Sequence, residues 1–203
     1  CSSQFDPTGE LIIFSDGNFI FGVLSKNGDL RFQIELPKSP QRSNLSTQIL
    51  RISPDSSVIA STVMNSNIAL FSMKSHQLLG ILEFHKRTIS SLLFLKTRNL
   101  LLSGSYDGRL CVWDIVQMKL NRVIQVNNED RNNSSSSLNT FQHGIDSCGA
   151  IVSISVDINE TIVIVGFLNG TVGIYDIDFN QPGNIFVAHH DFLLSMSVLP
   201  RID

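Results

Sequence analysis

A pair of distances recurs along this chain where the letters between them have drifted. Counting from the last apolar residue of the expected inner strand of each unit to a turn residue, and on to a position that holds tryptophan in one copy, gives steps of thirteen and six. The copies are Phe14, Asn27, Gln33; Ile52, Asn65, Phe71; Phe94, Asp107, Trp113; and Val156, Asn169, Tyr175. Four matching pairs of steps imply a repeated structural unit, because a recurring fold holds the distances between its turns more tightly than its side chains. A fifth unit begins near the end, since Val198 lies nine residues after His189 as Phe94 lies nine after His85.

Each unit reads as short strands. Leu110, Val112 and Ile115 flank Trp113, and Val172 and Ile174 precede Tyr175, which places apolar and β-branched residues where a strand covered on both faces needs them. Leu11 to Phe14, Leu100 to Leu102 and Ile162 to Val165 are continuous apolar runs of the same kind. Asn27-Gly28, Asp107-Gly108 and Asn169-Gly170 lie between runs and predict hairpins in which both central residues take positive φ, with Asn65-Ser66 a weaker version.

The third copy carries a fuller set of letters, HKRTISSLLFLKTRNLLLSGSYDGRLCVWD over residues 85–114. This stretch resembles the WD-repeat β-propeller family, in which each repeat builds one four-stranded blade. The resemblance implies an all-β propeller with about four complete blades and the first strand of a fifth. The repeats run approximately over 5–42, 43–84, 85–126, 147–188 and, in part, 189–203. Seven blades at about 40–45 residues each need roughly 280 to 320 residues, so the expectation is a segment of a larger, seven-bladed propeller. His85, Ser103, Asp107 and Trp113 fall on the positions whose side chains form the structural network of a blade in typical members. Elsewhere Gln33 and Phe71 replace the tryptophan, Asn replaces the aspartate, and Ser43 and Ser147 replace the histidine. The first repeat is short before the next histidine position and contains Pro37 and Pro40, which predicts a truncated or irregular outer strand.

Composition narrows function. The chain has 203 residues, 42% of them hydrophobic and 16% charged, so it supports a packed core and is too apolar for a disordered polymer. A net charge of -3 argues against a strong binder of nucleic acid or anionic membrane. Cys1, Cys111 and Cys148 show no paired-ligand spacing, and their odd number with no secretory segment favours a reducing, intracellular setting, cytoplasmic or nuclear. No apolar run reaches membrane-spanning length.

Apparent chemical sites dissolve under the same reading. His85, Ser103 and Asp107 are the residue types of a hydrolase triad, yet no nucleophile elbow accompanies them, and in the family they form a buried network. No catalytic residue is assigned, and the expectation is no enzyme. His189, His190 and Asp191 lack the further ligands a tetrahedral metal site requires, so neither metal nor other cofactor is expected. The basic residues Lys86, Arg87, Lys96, Arg98, Arg109 and Lys119 divide between opposite rims. RNA binding through them, as in a processing or ribosome-assembly factor, is the alternative reading.

The positions that ligands contact on one rim of many WD-repeat proteins read here as Thr88, Ser90 and Tyr106 in the third repeat and Ala150, Val152 and Leu168 in the fourth. Phe192 and Leu194 follow in the fifth, and Ser46, Gln48 and Met64 in the second. The larger apolar ones would make a protein-binding surface. An insertion over 127–146, rich in Asn and Ser, stretches the step from Phe94 to Val156 to 62 residues where the others are 38 and 42, and predicts a flexible loop on that rim. An arginine two residues after the Trp-Asp pair, frequent in substrate receptors of cullin-type ligases, is replaced by Val116 and Asp178. A Phe-Arg-Arg-Gly stretch, as in phosphoinositide-binding propellers, is absent. The expected role is a non-enzymatic scaffold that binds partner proteins or peptides in an intracellular complex, with no membrane and no small-molecule substrate.

Overall fold

The computed structural model describes residues 2–37, 48–125, 149–179, 183–189, 193 and 195–196. Among these, every regular element is a strand, and the strands form four antiparallel sheets of four in chain order. The first sheet holds β1 (Ser2–Phe5), β2 (Leu11–Ser15), β3 (Phe19–Leu24) and β4 (Leu30–Glu35). The second holds β5 (Leu50–Ile52), β6 (Val58–Val63), β7 (Asn67–Ser72) and β8 (Leu78–Glu83). The third holds β9 (Ile89–Phe94), β10 (Leu100–Ser105), β11 (Arg109–Asp114) and β12 (Lys119–Gln125). The fourth holds β13 (Ile151–Val156), β14 (Ile162–Phe167), β15 (Thr171–Asp176) and β16 (Asn184–Val187). The innermost strands β1, β5, β9 and β13 lie side by side in that order, so the sheets radiate as propeller blades.

Period-two alternation decides what each side chain meets. On β10, Leu101 joins a core shared with the second blade, while its neighbour Leu102 joins one shared with the fourth. On β11, Cys111 and Trp113 face the second blade, and Leu110 and Val112 face the fourth. Three apolar layers result, one between each pair of successive blades. Each fully buried leucine or isoleucine in them contributes roughly 1.5–3 kcal/mol of transfer free energy. Phe71, Trp113 and Tyr175 all face the blade before their own, which is why an aromatic recurs at that step.

Inner strands present unpaired backbone edges to the axis, and side chains from the neighbouring blade satisfy them. The Leu50 and Ile52 N–H groups donate to Ser2 Oγ and Gln4 Oε1, each at 3.2 Å. Ile154 N–H donates to Ser91 Oγ at 3.1 Å, and Met196 N–H donates to Ser153 Oγ at 3.2 Å. Ser90 Oγ donates to the carbonyls of Gly104 and Ile151. Leu193 and Met196, from the start of the fifth unit, also pack over Gly166, leaving no room there for a Cβ.

Two expectations change. In the first blade the inner strand is Ser2–Phe5; Phe14 lies on the second strand, Asn27 after the third and Gln33 on the fourth, so the thirteen-and-six step begins one strand late. Hairpins of similar length repeat the same apolar-turn-apolar rhythm, and a shift by one strand preserves it. The outer strand of this blade is consequently a paired six-residue strand with one bulge, rather than a truncated one, and Pro37 comes after it. The hairpin geometry also differs. At Asp107-Gly108 and Asn169-Gly170 only the glycine has positive φ, 76° and 81°, closing three-residue turns in which its N–H reaches back to Ser105 or Phe167. Positive φ at two successive residues occurs instead at Met64 and Asn65.

Candidate functional site

The third blade gathers the chain's polar set at its rim. Asp107 follows β10, His85 precedes β9, and the two meet at 3.1 Å between His85 Nδ1 and Asp107 Oδ2. His85 Nε2 is 2.8 Å from Ser103 Oγ, and Trp113 Nε1–H donates to that same oxygen at 2.8 Å. Donor logic fixes the proton order. A carboxylate only accepts, so Nδ1 carries hydrogen; indole only donates, so Ser103 receives it and turns its own O–H toward Nε2. The result is one satisfied chain: tryptophan to serine, serine to histidine, histidine to aspartate. Asp107 also accepts from Lys86 N–H at 2.9 Å and Arg109 N–H at 3.0 Å. Burial alone would raise its carboxyl pKa, but the His85 hydrogen bond and these backbone donors outweigh that and hold it below the ordinary range.

This trio has triad-like distances and cannot act as one, because Ser103 is 0% exposed and its oxygen already accepts from Trp113. Ser103 sits ten residues before Trp113, and Ser61 sits ten before Phe71; there Ser61 Oγ accepts from Gln48 Nε2 at 3.0 Å, and Gln48 Oε1 accepts from Ser15 Oγ at 2.6 Å. In the fourth blade the equivalent residue is Val165, and the buried Tyr175 hydroxyl has no partner among the described residues. Burial raises that phenol to about 12.

The rim residues divide. Tyr106 is 42% exposed. Met64, Thr88, Val152 and Leu168 are partly buried, Ser90 bridges to the fourth blade, and Ala150 is buried with its carbonyl accepting from Leu168 N–H at 2.8 Å. Met64 packs against the layer between the first two blades. Phe192 and Leu194, with Ser46 and the insertion over 127–146, lie outside the described residues. Large apolar side chains are also exposed at the opposite end, Val116 at 71% and Ile158 at 75%, so apolar exposure is not confined to one rim.

Several interactions had no signal in the sequence. Glu160, at φ 53° in the turn before β14, is buried and crosses to the third blade, accepting from the N–H groups of Lys96 and Thr97 and from Thr97 Oγ1. Burial would raise its carboxyl, but those three donors keep it low. Arg98 pairs with Asp178 at 2.5 Å, and Arg122 donates to the Asp178 carbonyl. The guanidinium carbon of Arg109 stands 5.6 Å from the centroid of the Phe84 ring. Among the described residues no three His, Cys, Asp or Glu side chains converge as metal ligands, and no helix is long and apolar enough to cross a membrane.

A family model described as WD domain, G-beta repeat matches residues 76–114, the outer strand of the second blade together with the first three strands of the third. The matched span contains the whole hydrogen-bonded chain from Trp113 to Asp107. Residues 76–114 therefore form a WD repeat, and the four four-stranded sheets have the form of WD-repeat β-propeller blades. Two curated zebrafish (Danio rerio) relatives are similar to this WD-repeat chain over 84 residues each: activating molecule in BECN1-regulated autophagy protein 1A at 39% identity, and protein 1B at 37%. The similarity covers 41% of this chain and 6% of each relative.

Proposed function

We propose that this WD-repeat chain is a non-enzymatic scaffold that holds partner proteins or peptides on the rim of the third and fourth blades within an intracellular complex. The observation that carries this reading is how the polar groups are spent. His85, Ser103 and Asp107 are consumed in holding the blade together, while Tyr106, Phe84 and the nearby cations remain at the surface. A rigid rim with exposed aromatic side chains suits protein recognition, where such residues supply contact area at low entropy cost. The zebrafish relatives are named for BECN1-regulated autophagy, and a part in assembling that machinery is the setting proposed here.

The test is affinity capture from native extract with the wild-type chain and with Tyr106→Asp and Leu168→Asp. Both residues have side chains at least partly open to solvent, so the variants should fold, and loss of the same co-purifying proteins from both is expected. Capture unchanged by both substitutions would refute the rim.

A further inference from the structure

Three cations and two exposed rings share the rim end of the third blade. Lys86 and Arg87 are exposed, Arg109 opens β11 over Phe84, and the residues Phe84 and Tyr106 are 38% and 42% exposed. Their backbone is fixed in place. Lys86 N–H donates to Asp107 at 2.9 Å, Tyr106 N–H donates to the Thr88 carbonyl at 3.0 Å, and Ser105 Oγ donates to the Arg87 carbonyl at 3.0 Å. Among the described residues none of the three cations forms a salt bridge. Of the carboxylates beside them, Asp107 is sealed against His85 with 6% of its side chain exposed, and Glu83 accepts from Asn67 Nδ2 at 2.9 Å.

We propose that this rim seats an acidic linear segment of a partner protein, its side-chain carboxylates on Lys86, Arg87 and Arg109 and an aromatic side chain against Phe84 and Tyr106. The proposal rests on the scaffold reading and specifies the chemistry of the occupant. Charge complementarity is local, because the chain as a whole carries -3. A short acidic segment meets only the patch, whereas RNA would need phosphate contacts along many cations, and Arg98 and Arg122 at the opposite end are already committed to Asp178. Fixed backbone favours binding further, since less freedom is lost when the partner docks.

Fluorescence anisotropy with a labelled peptide of alternating Glu and Phe tests this directly, beside its Lys-Phe counterpart, an oligouridylate and phosphatidylserine vesicles. The Glu-Phe peptide should bind and weaken with added salt, and the Lys-Phe peptide should not bind. Lys86→Glu combined with Arg87→Glu should weaken binding by about tenfold or more, and Phe84→Ala by about threefold or more. Lys119→Glu on the outer strand should change nothing, and unchanged emission from Trp113 verifies the fold of each variant. Absence of Glu-Phe binding, indifference to the rim variants, or tighter binding of oligouridylate or vesicles through the same residues overturns the proposal. If capture from extract is lost with Tyr106→Asp and Leu168→Asp while the Glu-Phe peptide ignores charge reversal, the acidic occupant fails and the scaffold reading stands. If capture ignores the rim substitutions, the scaffold reading fails and the partner-protein occupant falls with it, even where the peptide still responds to charge reversal.

Discussion

Replacing Ser103 with alanine removes one oxygen and should cost far more than a surface hydroxyl. Ser103 Oγ is both the acceptor for Trp113 Nε1–H and the donor to His85 Nε2, at 2.8 Å each, and water does not reach it. Alanine leaves two buried polar groups without partners, each worth about 1–3 kcal/mol. A loss of roughly 2–4 kcal/mol follows, a large share of the stability of an ordinary domain. The assay is built into the chain, because Trp113 is its one tryptophan and lies buried at the joint between the second and third blades. Urea titration followed by its emission should show an earlier midpoint at unchanged slope. In a Trp113→Phe background, followed by circular dichroism, the same serine change should cost less, with a coupling of about 0.5–3 kcal/mol. A Ser103→Ala loss below about 0.5 kcal/mol, the range of an ordinary surface change, would refute the double hydrogen-bonding role of Ser103 in the network.

Other expectations follow from the same geometry. Tyr175→Phe should leave stability unchanged or raise it by up to about 1 kcal/mol in thermal denaturation, because the hydroxyl is buried without a partner among the described residues. The carboxyls of Asp107 and Glu160 are held low in the folded chain, so their contribution is complete above the unfolded carboxylate pKa and disappears as pH falls through the folded value. Melting temperature should therefore decline from about pH 4 downward, and less steeply in Glu160→Gln. Cys111, raised to about 12 by burial, should resist alkylation at pH near 8 until urea unfolds the third blade, as peptide mapping of labelled chains would record. Gly104→Ala would set a Cβ 2.5 Å from Ile151 Cγ2, and the forced separation of the third and fourth blades should cost about 1–3 kcal/mol by urea titration.

The chain's own letters were enough for the repeat, for the four-blade count and for the second, third and fourth aromatic positions, because sheet spacing and side-chain alternation act locally and leave a period in the sequence. They also held the His85, Ser103, Asp107 and Trp113 set, and the valine that replaces the serine ten residues before Tyr175. The first blade escaped, since a strand-turn-strand rhythm looks the same when displaced by one hairpin. What touches what across blades was decided only by tertiary packing. Glu160 reaches Lys96 and Thr97, Gln48 links Ser15 to Ser61, and Arg109 lies over Phe84 because separate sheets stack at a common axis. Such contacts join residues from different blades or from different strands of one blade, and no period along the chain encodes the distance between them.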